Sequence, residues 1–338
     1  MAGKMKRRKP RVGIIMGDPA GIGPEITVKA IATPEVKDSC LPIVIGDQRV
    51  VRQAMRFIHH KLPLQVIHDL SCDPIDSQKI NVLDTGNVDP QRLTRGRASA
   101  LGGRAVFEDI QLAVQLAQQK QIDGIVAGPH NKYSVNLAGV SFAGYPPLLA
   151  RLTGSRYAFN MLVSGSIRIV GVTLHLALKD VSQALSPDLV LATIEAVQVA
   201  LPRLGIHKPR IAVAGLNPHC GEEGLFGSEE ETIIRPAIVS AQKKGIEVTG
   251  PFPADSLFMG IREKQDFDAY VAMYHDQSHI PIKTVAFDSI VGLIIGTPLV
   301  VATVGHGTAF EITGKDMANI GPMTETIKLV ARSVRGIT

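Results

Sequence analysis

Short continuous apolar runs alternate with amphipathic stretches along most of the chain. Val12–Met16, Pro42–Ile45 and Ile122–Ala127 have the length and composition of strands buried on both faces. Pro24-Glu25 opens a helix after the first run, because proline suits the first helical position and an acid suits the first turn. Gly102–Gln119 has helical spacing, with Ala105, Ile110, Ala113, Val114 and Ala117 on one side. This rhythm predicts largely parallel sheet covered by helices. The middle of the chain differs. Phe159–Val163 and Ile167–Leu174 flank Ser164-Gly165-Ser166, a hairpin signal. Ser186, followed by Pro187 and Asp188, caps a helix running to about Leu201. Ile211–Gly215, Ile246–Val248 and Ala269–Tyr274 read as strands. Val291–Val304 is the most apolar late stretch, but Gly296, Thr297 and Pro298 break it, so it reads as two buried strands with a turn rather than a membrane span. A domain boundary is expected near residue 140.

The chain has 338 residues, enough for two domains. Its 45% hydrophobic and 20% charged residues exclude disorder. Trp is absent and aromatics are 4%, which disfavours a base-stacking surface. Six of the 36 basic residues, Lys4, Lys6, Arg7, Arg8, Lys9 and Arg11, fall in the first eleven positions, leaving 30 bases against 31 acids. The body is therefore near neutral and carries no electrostatic footprint for nucleic acid. The basic start reads as a frayed, solvated tail. It is not a signal peptide, because the apolar run after it stops at Gly17-Asp18-Pro19. Cys40, Cys72 and Cys220 are too widely spaced for a zinc motif or a disulfide framework. These features predict a soluble cytoplasmic protein with no membrane partner.

Three histidines follow strand-like runs: His175 after Val172-Thr173-Leu174, His219 after Gly215-Leu216-Asn217-Pro218, and His275 after Met273-Tyr274. Ligands of open α/β sheets gather at strand carboxyl ends, so these rings are candidates for one metal site. Ordinary hydrogen-bonded or exposed histidines fit the same spacing. Asp255 also follows a strand and Lys283 lies eight residues beyond His275, which makes them candidates for proton transfer or substrate binding. Surface ion pairing explains each of them equally. Gly17–Glu25 is neither a dinucleotide fingerprint nor a P-loop; its glycines fit either backbone N–H groups presented at a helix start or a tight strand-to-helix turn.

Taken together, Gly17–Glu25, Gly128-Pro129 with Lys132, Leu174-His175, Leu216–His219, Pro253–Asp255, Tyr274–Gln277 with Lys283, and His306–Ala309 resemble the 4-hydroxythreonine-4-phosphate dehydrogenase family, in family order. The resemblance implies an α/β, two-domain fold like isocitrate and isopropylmalate dehydrogenases, with mixed sheets and a central cleft. It places residues 1–140 plus 286–338 in a cofactor-side domain and 141–285 in a metal, substrate and dimerisation domain. It implies NAD, held by His306, Gly307, Thr308 and Ala309. It also implies a divalent metal (Zn first, with Fe, Mn or Co as alternatives) on His175, His219 and His275, shared between the subunits of a homodimer. Lys283 would bind substrate or move a proton, and Asp255 would support the metal or orient a water.

Within that family, Gly144-Tyr145-Pro146-Pro147 departs from the usual Gly-His-Thr-Glu. The Asn and Arg expected nine and eighteen residues after Lys283 fall on Gly292 and Val301. The Gly144–Leu149 and His275–Lys283 segments look like the family's terephthalate cis-dihydrodiol dehydrogenase branch. On that likeness, Tyr145 shapes a flat substrate pocket, and a cis-dihydrodiol dicarboxylate substrate undergoes NAD-dependent oxidative decarboxylation to protocatechuate and CO2. Tyr145 as a plain turn residue remains the other reading. The alternative functions are a 4-hydroxythreonine-4-phosphate dehydrogenase of pyridoxal phosphate synthesis, with Arg151 or Arg168 replacing the missing phosphate contacts, or a related sugar-acid phosphate dehydrogenase. A non-catalytic metal- or anion-binding protein on the same scaffold is a third possibility, disfavoured by retention of all three histidines, Asp255 and Lys283.

Overall fold

The computed structural model describes residues 8–336 apart from 60 and 264. Twelve strands run in chain order: β1 Arg11–Ile15, β2 Leu41–Gly46, β3 Leu64–Ile67, β4 Ile80–Asp84, β5 Gly124–Ala127, β6 Phe159–Ser164, β7 Ile167–Gly171, β8 Ile211–Ala214, β9 Val248–Phe252, β10 Ala269–Ala272, β11 Val291–Ile295 and β12 Val301–Val304. The chain divides into two compact units. One runs up to Phe142 and includes Leu299–Gly336; the other is Ala143–Pro298.

The first unit holds a sheet in the order β3-β4-β2-β1-β5-β12, parallel throughout. Parallel strands covered by helices on both faces must be apolar on both sides. That is why Val12, Ile14, Ile43, Val44, Ile45, Val82, Ile125 and Val126 are all buried. The helix Ala100–Gln118 starts where Ser99 accepts a hydrogen bond from the Gly102 N–H at 3.1 Å. Gly103 lets it approach Lys132–Leu137, since a Cβ there would lie 1.9 Å from the Ser134 carbonyl oxygen. The glycines of the first loop have the same steric origin: a Cβ on Gly17 would meet the Pro129 oxygen at 2.1 Å.

The basic start is partly ordered, which corrects the frayed-tail expectation for its described part. Arg8 pairs with Asp123 at 3.0 Å, the Arg11 N–H donates to the same carboxylate at 2.7 Å, and Lys9 donates to the Lys37 carbonyl at 2.7 Å. Lys4, Lys6 and Arg7 lie outside the described residues.

The second unit holds the order β11-β6-β7-β10-β8-β9. Its sheet is mixed: β11–β6 and β6–β7 are antiparallel, whereas β7, β10, β8 and β9 run parallel. The hairpin forms as expected, with Ser164 opposite Ile167 and Gly165 at φ 56° in the two-residue turn. β7 stops at Gly171, short of the expected Leu174, yet Val172 and Thr173 still donate to the Ala272 and Met273 carbonyls at 2.8 and 3.1 Å. The expected strand to Tyr274 ends at Ala272, and His275 opens a helix to Ala286 that carries Pro281 inside it. Ile169, Ala212, Ala272 and Ile282 belong to the core of this unit. No single described helix is long and apolar enough to cross a membrane.

Two outcomes follow from the first unit. Gly103→Ala forces the Ser134 backbone aside and should cost about 3 kcal/mol, read from urea unfolding. His130, packed edge-on against Phe142 at 5.1 Å, has its pKa pushed down to about 4, by burial first and by the Lys132 charge second. The unfolded chain binds this proton near the ordinary 6.5, so stability is full above that pH and falls as the pH drops toward 4. His130→Asn should flatten that part of the pH–stability curve; an unchanged curve would assign the acid sensitivity to other groups.

Candidate active site

Four parallel neighbours, β7, β10, β8 and β9, send their carboxyl ends to one edge of the second unit's sheet. His175 follows β7, His275 follows β10, His219 follows β8 and Asp255 follows β9. Their order across the edge is 175, 275, 219, 255, although their order along the chain is different. Adjacent strands lie about 4.8 Å apart, so side chains of imidazole length from neighbouring ends come within reach of common ligands.

The His175 and His275 rings stand 6.1 Å apart between centroids. Thr173 Oγ1 fixes the approach by donating to the Met273 carbonyl at 2.8 Å. Both rings line a cavity of about 320 Å3 with Leu174, Tyr274 and Asp276. His219 and Asp255 line a second cavity of about 510 Å3, which Tyr274 and Asp276 also border. His219 itself is exposed, 6.4 Å from the Phe226 ring, and does not join the other two rings within one chain. Among the described residues, no three His, Cys, Asp or Glu side chains are grouped to hold a metal ion.

The ring chemistry nevertheless fits a metal. His275 Nδ1 lies 2.7 Å from Asp276 Oδ1. A carboxylate only accepts, so in the neutral ring Nδ1 carries the proton and Nε2 keeps its lone pair. This is the arrangement that prepares an imidazole to ligate. Residue His279, which was not anticipated as part of the site, stacks on His275 at 3.8 Å with planes 12° apart. Its pKa is pushed down to about 4, by burial first and then by the neighbouring His275, which keeps the ring neutral. Its Nδ1 lies 2.9 Å from both Ser278 Oγ and the His275 carbonyl. Lys283 is exposed one further turn along the same helix face. It lines neither cavity.

Tyr145 is 4% exposed and starts the helix Tyr145–Thr153. A Cβ on the preceding Gly144 would lie 3.8 Å from His175 Cε1, so the helix start is beside that ring. Arg168 donates to the Ser166 and Asp268 carbonyls at 2.7 and 3.2 Å, while Arg151 is exposed in the last turn of the Tyr145 helix. His306, Gly307, Thr308 and Ala309 belong to the first unit. There the Thr308 carbonyl accepts the Ile22 N–H at 3.0 Å, Glu25 accepts the Gly314 N–H, and Lys29 pairs with Asp316 at 2.6 Å. The Gly17–Gly23 turn and the His306–Ala309 loop thus brace each other.

The loop that carries His219 is conformationally unusual. His219, Cys220, Gly221, Glu222 and Glu223 all have positive φ, from 44° to 77°. Left-handed backbone costs a non-glycine residue about 1–2 kcal/mol, so the surroundings must enforce it. Glu230 does much of this. It is 1% exposed, and its Oε1 accepts the N–H groups of Leu216 and Asn217 at 2.8 and 2.7 Å. No sequence signal marked this residue, because it lies eleven positions beyond His219 on the next helical segment.

An α/β sheet edge that gathers imidazoles, carboxylates and two cavities at its carboxyl ends is the layout of a ligand-binding enzyme site. Comparison with known proteins narrows this. Residues 38–330 match the family model of pyridoxal phosphate biosynthetic protein PdxA, and the chain belongs to that family. It is 41% identical to a D-threonate 4-phosphate dehydrogenase of Cupriavidus necator, over 94% of this chain and 96% of the relative. A crystal structure of 4-hydroxythreonine-4-phosphate dehydrogenase from Klebsiella pneumoniae superposes with a TM-score of 0.86 at 35% identity, covering 96% of this chain and 99% of that one. A terephthalate 1,2-cis-dihydrodiol dehydrogenase from Burkholderia xenovorans is more distant, with a TM-score of 0.69 at 33% identity, covering 96% and 98%.

These findings overturn terephthalate dihydrodiol as the expected substrate, and with it the decarboxylating, aromatic-catabolic assignment. That expectation leaned on Gly292 and Val301 as lost phosphate contacts. Both lie within strands: Gly292 pairs with Leu162 inside β11, and Val301 is 1% exposed in β12. Counting forward from one lysine does not identify the donors of a phosphate, which backbone N–H groups or bases from any element can supply.

The tautomer is open to measurement. Nitrogen NMR should find neutral His275 protonated at Nδ1, and Asp276→Ala should release it to a mixture of tautomers. An Nε2-protonated ring in the unsubstituted protein would contradict the Asp276 contact.

Proposed function

We propose that this protein is an NAD-dependent, divalent-metal-dependent dehydrogenase of a short hydroxy acid bearing a terminal phosphate. D-threonate 4-phosphate is the first candidate substrate and 4-hydroxythreonine 4-phosphate the second. The observation that carries the reading is the His175–His275–His219–Asp255 edge in a chain 41% identical, nearly end to end, to a D-threonate 4-phosphate dehydrogenase.

In this reading His175, His219 and His275 hold the metal. Three neutral imidazoles suit Zn2+, Fe2+, Mn2+ or Co2+ better than Mg2+. When bound, the ion supplies charge stabilisation at the substrate oxygen. Because His219 stands apart from the other two rings within one chain, completion of the ligand set by a second copy is part of the proposal. Lys283 and Asp255 are the candidate proton carriers. The substrate hydroxyl must lose its proton as the carbon beneath it gives hydride to nicotinamide, and both side chains project from elements that carry or adjoin the histidines. His306–Ala309 is the candidate NAD-binding loop, braced by the Gly17–Gly23 turn. Tyr145 is proposed to wall the pocket beside His175.

The test is metal-loaded protein with NAD, followed by NADH absorbance. Turnover is expected with D-threonate 4-phosphate or 4-hydroxythreonine 4-phosphate and not with the unphosphorylated acids. His219→Ala and His275→Ala should each lower kcat/KM by about a thousandfold or more, on the scale of losing metal assistance worth several kcal/mol. Equal turnover of phosphorylated and unphosphorylated acids would remove the phosphate from the proposal.

A further inference from the structure

Two buried polar side chains, Gln277 and Glu230, hold backbone at the base of the His219 loop. Gln277 is 9% exposed and sits two residues after His275. Its Oε1 accepts the Met273 N–H at 2.6 Å, and its Nε2 donates to the Gly215 carbonyl at 2.8 Å. One carboxamide therefore ties the end of β10, which leads into His275, to the end of β8, which leads into His219. Glu230 closes the other side. Besides the Leu216 and Asn217 N–H groups, its Oε2 accepts from Asn217 Nδ2 at 3.0 Å, and Glu229 Oε2 takes the same amide at 2.7 Å. Glu229 is itself held by Ser182 at 2.5 Å. The Gly215 carbonyl and the Leu216 and Asn217 N–H groups, just before the left-handed run, are thus claimed by buried side chains from other segments.

We infer that Gln277 and Glu230 are positioning residues that set the stance of His219 on its loop, whichever copy's ion that ring meets, so that metal affinity depends on two side chains that are not themselves metal ligands. This deepens the metal-site reading above and rests on it. Gln277 borders the His219 cavity, but both its polar atoms and the Glu230 Oε1 are taken by backbone, and each residue thereby holds the chain on which a ligand ring stands. A loop with five successive left-handed residues has no intrinsic preference for this shape, so its geometry depends on these clamps. Groups that orient metal-binding histidines commonly change affinity 10–100-fold when removed.

The experiment is titration of the metal-free full-length protein with Co2+, following the ligand-field absorption, for the unsubstituted protein, Gln277→Ala, Glu230→Gln and His219→Ala. The expected result is a Co2+ Kd raised at least tenfold in Gln277→Ala and Glu230→Gln. At saturating Co2+, their spectra should also differ from the unsubstituted one, because the His219 ring no longer meets the ion at its former angle. A residue with only a structural role would lower Tm but give the unsubstituted spectrum once saturated, and that result overturns the inference. So does a Kd within twofold in both variants. If Glu230→Gln does not fold, Gln277→Ala decides by the same two readouts. His219→Ala separates the two levels of the argument. If it binds Co2+ as the unsubstituted protein does, the metal-site reading itself fails. If it loses Co2+ while the clamp variants do not, only the positioning role fails.

Discussion

Parallel pairing of β7, β10, β8 and β9 is the constraint on which the rest of the second unit depends. Parallel strands end on the same side, and each is followed by chain that must leave the sheet there. Four consecutive ends therefore deliver four loops to one edge, whatever their separation in sequence. Here those loops bear His175, His275, His219 and Asp255. Among the described strands of this unit, antiparallel pairing occurs only where β6 and β11 join the sheet.

The edge is stiffened by hydrogen bonds that cross between loops instead of within them. Thr173 reaches the Met273 carbonyl, Gln277 reaches Gly215, and Glu230 reaches Leu216 and Asn217. The Gln277 and Glu230 contacts satisfy backbone groups that the sheet ladder leaves unpaired beyond its last rung, and Thr173 adds a second bond to a carbonyl that already accepts its own N–H. The same bonds set the stance of the rings. Asp276 adds a chemical constraint by holding the proton of the neutral ring on His275 Nδ1, which leaves the lone pair on the other nitrogen. A fold that had to pair these groups in any case has done so in a way that prepares imidazole lone pairs.

The chain belongs to the PdxA family, and the relatives it resembles are named as dehydrogenases of phosphorylated four-carbon acids. The mistaken preference for an aromatic substrate is instructive. Gly144–Pro147, Gly292 and Val301 are real departures from the expected family pattern, but a missing side chain at a counted position removes one donor and says nothing of donors elsewhere. Arg168 shows the reverse error. Its charge made it a candidate phosphate contact, yet its Nη1 donates to the Ser166 carbonyl of its own hairpin turn and to the Asp268 carbonyl just before β10.

Much of the fold was legible along the chain because local physics decides it. Ser186 caps its helix through its own side chain, Gly165 turns the hairpin through its own φ, and the apolar runs bury themselves wherever they pair. His175, His219, His275 and Asp255 could be picked out as strand-following residues for the same reason. The sequence did not reveal the helix that begins at His275, because an apolar run ending in Tyr274 looks like continuing strand until its partner strands stop. It did not reveal His279 as a stacked neighbour, which requires that helix. Nor did it reveal Glu230 and Gln277, whose roles exist only once distant backbone groups lie within 3 Å of them. Periodicity and capping are written into neighbouring residues and can be read there. The order in which β7, β10, β8 and β9 lie side by side is set by long-range pairing, and only the folded chain determines which histidines become neighbours.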